Sequence, residues 1–363
     1  MTPFLQVKHI SKTFGGIKAL DNVSIEVSRG EVLAIAGENG AGKSTLMKIL
    51  TGVYQPDRGG EIWINGLHVP VLTGTAHARA LGVCIIYQEL SVVDNLTIAE
   101  NIFLSREITH GMGWLNRKAM QASTRRLLGS LDMHLDPSTL VGDLSVGQKQ
   151  MVEIAKALSN NSQIIIMDEP TASLSHHEAE VLKETIHKLR ANGIGIIYIT
   201  HRLEEIFGLA DRVAVLRDGR GVATAPIADI DRSRLIKMMV DREHDDLYGD
   251  YVSRATNHVA LEAHGLTLKR RTPHTPPIRD CSFRVHAGEI LGFFGLIGAG
   301  RTELMEMIFG VRPYQGTICI DGKEVVINDP RSAIRHGLGF VTEDRKLDGL
   351  VPGMSVRENF SLT

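Results

Sequence analysis

Cysteine is scarce and poorly placed for cross-linking: Cys84, Cys281 and Cys319 are the only three. An odd number at wide spacing fits neither a disulfide framework nor a zinc site, so a reducing compartment is expected. A dominant charge sign is missing too. The formal net charge of -2 argues against nucleic acid as a partner, because such binders usually carry a basic face. The one basic cluster, Lys269-Arg270-Arg271, precedes a proline-rich loop and reads as solvated surface. No apolar run approaches the ~18 residues that cross a bilayer. The segment Met1 to Lys8 lacks the basic-then-apolar pattern of a signal peptide. The chain is therefore expected in the cytosol, reaching a membrane only through a partner. An apolar fraction of 43% and a charged fraction of 23% are ordinary for a folded protein, so disorder is excluded as a whole-chain reading. The length of 363 residues suits two domains, or one and part of another.

Glycine supplies the strongest positive signal. Gly37-Glu38-Asn39-Gly40-Ala41-Gly42-Lys43-Ser44 has the G-x-x-x-x-G-K-[ST] spacing of a phosphate-binding loop. An apolar run from Val32 to Ala36 reads as a buried strand before it. Leu46, Ile49 and Leu50 follow at helical spacing. Glycines let backbone N–H groups wrap phosphates, and a helix N-terminus adds the positive end of its dipole. Lys43 can reach the β- and γ-phosphates, and the Ser44 hydroxyl can ligate Mg²⁺. The chain is expected to bind a nucleoside triphosphate.

A damaged copy of this loop returns at Gly295-Leu296-Ile297-Gly298-Ala299-Gly300-Arg301-Thr302. It belongs to a longer repeat. Gly30-Glu31-Val32-Leu33 matches Gly288-Glu289-Ile290-Leu291, and Glu100-Asn101 matches Glu358-Asn359 at the same offset (359 − 101 = 258). Tyr87-Gln88-Glu89 aligns with Thr342-Glu343-Asp344 once three residues are deleted. A period this long means two copies of one domain. The expected organisation is a first domain over 1–240, a polar linker over 241–258, and the beginning of a second domain over 259–363. Nothing in the second copy aligns with residues 105–240 of the first. Alternating apolar runs and amphipathic segments point to an α/β domain with a largely parallel sheet. Residues 92–140 carry helical periodicity and no strand run, which suggests a helical insertion.

Two further motifs carry chemistry. Ile164-Ile165-Ile166-Met167-Asp168-Glu169 is an apolar strand ending in two carboxylates. Beside a phosphate loop, Asp168 would hold Mg²⁺, and Glu169 would act as general base or polarise the attacking water. Leu144-Ser145-Val146-Gly147-Gln148 opens a helix with Met151, Ile154, Ala155 and Leu158 on one face. It reads both as a second anion-binding surface and as an ordinary capping box of Ser145 with Gln148.

In order and spacing, Gly37 to Ser44, Gln88, Leu144 to Gln148, Asp168-Glu169 and His201 resemble the ATP-binding cassette ATPases. The match is closest to the double-cassette subunits of bacterial monosaccharide importers (ribose, xylose, arabinose, galactose and allose types). It rests on Tyr87-Gln88-Glu89-Leu90-Ser91, Asp168-Glu169-Pro170-Thr171-Ala172-Ser173-Leu174, Thr200-His201-Arg202, Gly295 to Thr302 and Glu343-Asp344-Arg345-Lys346. The resemblance implies a P-loop NTPase fold with a helical subdomain and an antiparallel β subdomain, then a partial second copy. It implies ATP and Mg²⁺ as ligands, with Phe14, Gly37, Glu38, Asn39, Gly40, Ala41, Gly42, Lys43, Ser44 and Thr45 around the nucleotide. Leu144, Ser145, Val146, Gly147 and Gln148 would face a triphosphate across a head-to-tail pair. Ser44, Gln88 and Asp168 are the implied metal ligands, and Glu169, His201 and Gln88 the implied catalytic residues. Phe14 is equally at home in a core. Implied partners are integral-membrane permease subunits, indirectly an external sugar-binding protein, and a second copy of the chain. The implied place is the cytoplasmic face of the membrane. A soluble, non-transport cassette and a regulatory remnant are the competing readings.

Several positions depart from the family pattern. Arg301 replaces the loop lysine, and its planar fork should not reproduce a point-charge contact. Thr272 aligns with Phe14 and Glu343 with Gln88, so the second loop is expected to be weak or non-hydrolytic. Ser175 stands where many cassettes have aspartate, and Val146 breaks the commoner Ser-Gly-Gly signature. The second copy lacks a signature, so the chain is expected to bind Mg·ATP but turn it over poorly as a monomer. A homodimer could supply the missing signature.

Overall fold

The computed structural model describes residues 3–88, 90–110, 113–172, 174–240, 253–269, 278–295, 298–343 and 348–362. Glu89, Ser173, Arg270, Arg271, Thr272, Leu296, Ile297, Asp344 to Lys346, Thr363 and residues 241–252 of the expected linker lie outside them. The chain divides into two units, Met1–Leu247 and Tyr248–Thr363.

The first unit contains two sheets. Strands β1 (Leu5–Phe14), β2 (Ile17–Val27), β4 (Glu61–Ile64) and β5 (Leu67–His68) form an antiparallel sheet in the order β2-β1-β4-β5. Strands β3 (Val32–Ala36), β6 (Val83–Ile86), β7 (Ile164–Asp168), β8 (Gly195–Ile199), β9 (Arg212–Arg217) and β10 (Arg220–Pro226) form the second, in the order β10-β9-β3-β8-β7-β6. All its neighbours run parallel except β10, which returns antiparallel to β9. Every residue of β3 and β8 is buried. The cause is legible in their unbroken apolar runs: a parallel strand covered on both faces has no polar side. One face packs with the antiparallel sheet and α1 (Lys43–Leu50) through Leu33, Ile35, Leu46 and Ile49. The other packs through Val32, Ala34 and Ile165 on α5 (Val146–Leu158) and α6 (His176–Ala191).

Residues 92–140 hold α3 (Ile98–Ile102) and α4 (Arg117–Ser130), with isolated bridges but no strand among the described residues. Ile98, Ile102, Met120 and Leu128 join the same core as Met151 and Ile154 of α5, so the insertion is docked by its apolar face. Asn101 ties its entry down. Its fully buried side chain accepts from Val93 N–H and donates to the carbonyls of Val93, Leu96 and Thr97.

The second unit repeats the antiparallel layer: β11 (Val259–Leu268), β12 (Cys281–His286), β13 (Tyr314–Ile320) and β14 (Lys323–Val325), ordered β12-β11-β13-β14. The first unit also holds α2 (Thr75–Ala80), α7 (Leu203–Leu209) and α8 (Arg232–Val240). In the second, α9 (Arg301–Ile308) follows the second phosphate loop, α10 (Pro330–Arg335) follows β14, and α11 (Val356–Phe360) is the last helix described. Asn359 repeats the bonding of Asn101 position for position. It accepts from Val351 N–H and donates to the carbonyls of Val351, Met354 and Ser355. Among the described residues of this unit there is no parallel sheet. Ile290, the counterpart of the buried Val32, is 80% exposed, and Phe294 is fully exposed. In the first unit β3 is covered by β8 and β9 on either side; among the described residues of the second unit no strand pairs with Ile290.

Candidate nucleotide site

The parallel sheet brings the site together because its strands all point their carboxyl ends the same way. After β3 comes the glycine loop, after β6 Gln88, at the end of β7 Asp168-Glu169, and after β8 His201. A cavity of about 370 Å³ is lined by Asn39, Gly40, Gly42, Lys43, Ser44, Thr45, Gln88, Asp168 and Glu169, with Ala19 at its side. A second, of about 530 Å³, shares Asn39 and Glu169 and adds Gly37, Glu38, His201 and Met239. Residues far apart in the sequence thus line two adjoining cavities that share Asn39 and Glu169. Ala41 is buried and lines neither.

The loop has the geometry its glycines allow. Gly42 caps α1 at φ 98°, and a Cβ there would meet the Ala19 carbonyl oxygen at 2.6 Å. No other residue fits without moving the strand beneath. Lys43 curls back over the loop, donating to the Gly37 carbonyl at 2.7 Å and the Glu38 carbonyl at 2.8 Å. It is 7% exposed. Burial pushes its ammonium down, and the carboxylates of Glu169, Asp168 and Glu38 oppose that. Asp168 is pushed up by burial and by the neighbouring Glu169, with Lys43 and Lys48 pulling the other way. Both shifts register one fact, that charges are packed where water is thin.

Glu169 holds a left-handed backbone, φ 44°, uncommon for a non-glycine residue. Its N–H donates to the Ile199 carbonyl at 3.0 Å, which pins the turn. The turn aims its carboxylate at His201, whose Nδ1 lies 2.9 Å from Oε1. Strain of this kind is characteristic of working sites. The oxygens of Ser44, Gln88 and Asp168 suit a hard divalent cation. Among the described residues, no group of three or more His, Cys, Asp and Glu could hold a metal, so any cation here would rely on that mixed set and on phosphate oxygens.

Phe14 ends β1 as an exposed ring, 41% accessible, so the core alternative is removed. It packs edge-on against Tyr54 at 5.1 Å, with Lys12 Nζ 5.5 Å from its centroid. It lines neither cavity. Tyr54 was invisible to sequence reasoning, since nothing in Gly52-Val53-Tyr54 links it to Phe14. Leu144 to Gln148 also line neither cavity. Ser145 caps α5 in a full capping box with Gln148, as its spacing suggested. In the second unit Arg301 opens α9 with an exposed side chain, unlike buried Lys43. Thr302 Oγ1, at the Ser44 position, donates to Glu343 Oε2 at 2.7 Å.

The ABC transporter family profile matches residues 20–172 and 278–362. This chain belongs to that family. Ribose import ATP-binding protein RbsA 3 of Rubrobacter xylanophilus is 45% identical over all of this chain and 71% of its own length. Ribose import ATP-binding protein RbsA of Clostridium perfringens strain 13 is 48% identical over 99% of this chain and 71% of that protein. Among solved structures, the cassette MJ1267 aligns with 66% of the chain and 99% of its own, at 27% identity and a TM-score of 0.58. Its ADP conformation gives 0.55 over 65% and 94%. About two thirds of the chain thus shares the fold of an ATP-binding cassette.

One buried acid of the cassette, on α5, holds the segment that follows Gln88. Glu153 of α5 accepts the Ser91 N–H, three residues past Gln88, while Lys156 donates to the Ser91 carbonyl at 3.4 Å. Burial pushes Glu153 up to about 7, against the Ser91 bond and Lys156, and its Oε2 has no partner. A carboxyl raised in the folded state binds more protons there than when unfolded. Its contribution is full below the ordinary carboxylate range and is lost as pH rises through 7. Glu153→Gln is therefore expected to leave stability unchanged at pH 4.5. At pH 8 it should raise stability by on the order of 2–3 kcal/mol, read from urea melts of the full chain.

Proposed function

We propose that the chain is the ATP-hydrolysing subunit of a sugar importer, with its working nucleotide site in the first unit. One observation carries the reading: Lys43, Ser44, Gln88, Asp168 and Glu169 converge on a single cavity, with His201 bonded to Glu169. The names of the relatives, ribose import ATP-binding proteins, support sugar as the cargo. Lys43 supplies fixed positive charge to the β- and γ-phosphates. Glu169 takes the proton from the attacking water, and His201 holds its carboxylate in place. Ser44, Gln88 and Asp168 would hold Mg²⁺, which when bound would supply charge neutralisation of the phosphates.

The second unit is a non-hydrolytic site on this reading. Arg301 lies outward where Lys43 is buried, and Glu343 puts a carboxylate against the hydroxyl of Thr302, where it would repel a phosphate. Leu144 to Gln148 act in trans, on a nucleotide held by another cassette. No helix of the described residues is long and apolar enough to cross a membrane, which fits a peripheral subunit reaching permease partners on the cytoplasmic face. The test is the ATPase rate against protein concentration. A rate rising with the square of concentration supports a paired site built from two copies. A linear rate means that one chain suffices, and no turnover at any concentration overturns hydrolysis by this chain.

A further inference from the structure

The donors at the start of α5 already hold an anion. Ser145 Oγ donates to Glu178 Oε1 at 2.9 Å, and Gly147 N–H donates to the same oxygen at 3.0 Å. The other oxygen, Oε2, accepts the N–H of Ser175 at 3.0 Å and its hydroxyl at 2.8 Å. Gly147 has no room for a side chain on that side, since a Cβ would lie 2.6 Å from Glu178 Cγ and Oε1. The carboxylate therefore sits at the N-terminus of a 13-residue helix, where the dipole and free N–H groups favour negative charge. Burial pushes Glu178 up, but the donors of Ser175, Ser145 and Gly147 outweigh it and hold the carboxyl below its usual range. It is ionised at neutral pH.

We propose that Glu178 is a positioning residue that stands in for a γ-phosphate. It keeps the Ser145 and Gly147 donors oriented while no partner nucleotide is present, and it must withdraw before they can grip one. This rests on the reading of Leu144 to Gln148 as a contact made in trans. Each of the two donors has a single hydrogen, so a phosphate oxygen and the carboxylate cannot both be served well. A carboxylate left in place would also face a triphosphate at close range, a repulsion of like charges in a half-buried setting. The second carboxylate oxygen is anchored on Ser175 at the start of α6, within the segment that follows Asp168-Glu169. The withdrawal is thus tied to the strand end that carries the proposed catalytic base. The pattern Ser175-x-x-Glu178 announces a capping box in the sequence, but its reach to Ser145, 33 residues away, exists only in the fold.

The test measures self-association of the full chain in Mg·ATP by sedimentation, in a Glu169→Gln background that slows hydrolysis. Glu178→Gln keeps a capping side chain and removes the charge, and it is expected to tighten association about tenfold. Glu178→Asp shortens the reach to Ser145 and is expected to act in the same direction. Simple loss of a structural cap would instead weaken association. Ser145→Ala is the control on the underlying reading and should weaken it. If Ser145→Ala weakens association while neither Glu178 variant tightens it, the stand-in role is overturned and the trans contact survives. If Ser145→Ala changes nothing, the trans contact itself has failed. Absence of association in every variant also overturns the proposal, because freeing the donors should have opened the seat.

Discussion

Glu169→Gln is expected to lower ATP turnover by roughly a thousandfold while ATP binding stays within about twofold of the native chain. The two side chains are nearly the same size, so the strained turn at Glu169 and its backbone bond to Ile199 should persist. The glutamine oxygen can still meet His201. What is lost is the capacity to accept a proton from water at the moment of attack. Removal of a positioned base typically costs two to four orders of magnitude, whereas ground-state binding depends on the glycine loop and Lys43, which the variant leaves alone. Single-turnover hydrolysis of radiolabelled ATP, paired with equilibrium binding, separates the two effects. Turnover above a tenth of native would mean that another group takes the proton. A parallel loss of binding would mean that Glu169 shapes the cavity rather than the chemistry.

Lys43→Ala is expected to weaken ATP binding by roughly a hundredfold, the equivalent of losing charge-assisted contacts of about 2–3 kcal/mol. Lys43 is buried and already oriented by two loop carbonyls, so little entropy is lost when it turns toward phosphate. Its burial also keeps water from screening the charge. Arg301→Ala should change binding less than twofold, because that side chain lies in solvent at the mouth of the second loop. Equilibrium binding of a fluorescent ATP analogue to both variants decides the matter. Equal losses would show that both loops hold nucleotide and would overturn the assignment of the working site to the first unit.

The residues proposed to do the chemistry were legible because each sits at a local pattern. A buried strand followed by spaced glycines, or an apolar run ending in Asp168-Glu169, is a short-range signal that any parallel sheet would use in the same way. The repeat was legible too, and the identical bonding of Asn101 and Asn359 shows why a two-residue match carried weight: each asparagine organises its own loop. Phe14 was ambiguous because exposure depends on what covers a strand end, and its partner Tyr54 lies 40 residues on.

Three of the parallel strands, the glycine loop, the paired carboxylates and the Ser145 cap could be read from short windows of sequence, because these depend on neighbours within a few residues. Only the tertiary structure decided which distant groups meet. It put His201 against Glu169 and hung Ser91 from Glu153. It seated Glu178 on the signature donors. Contacts of that kind depend on strand order and on which partners are present to bury a face. Neither is written in the spacing of residues along the chain.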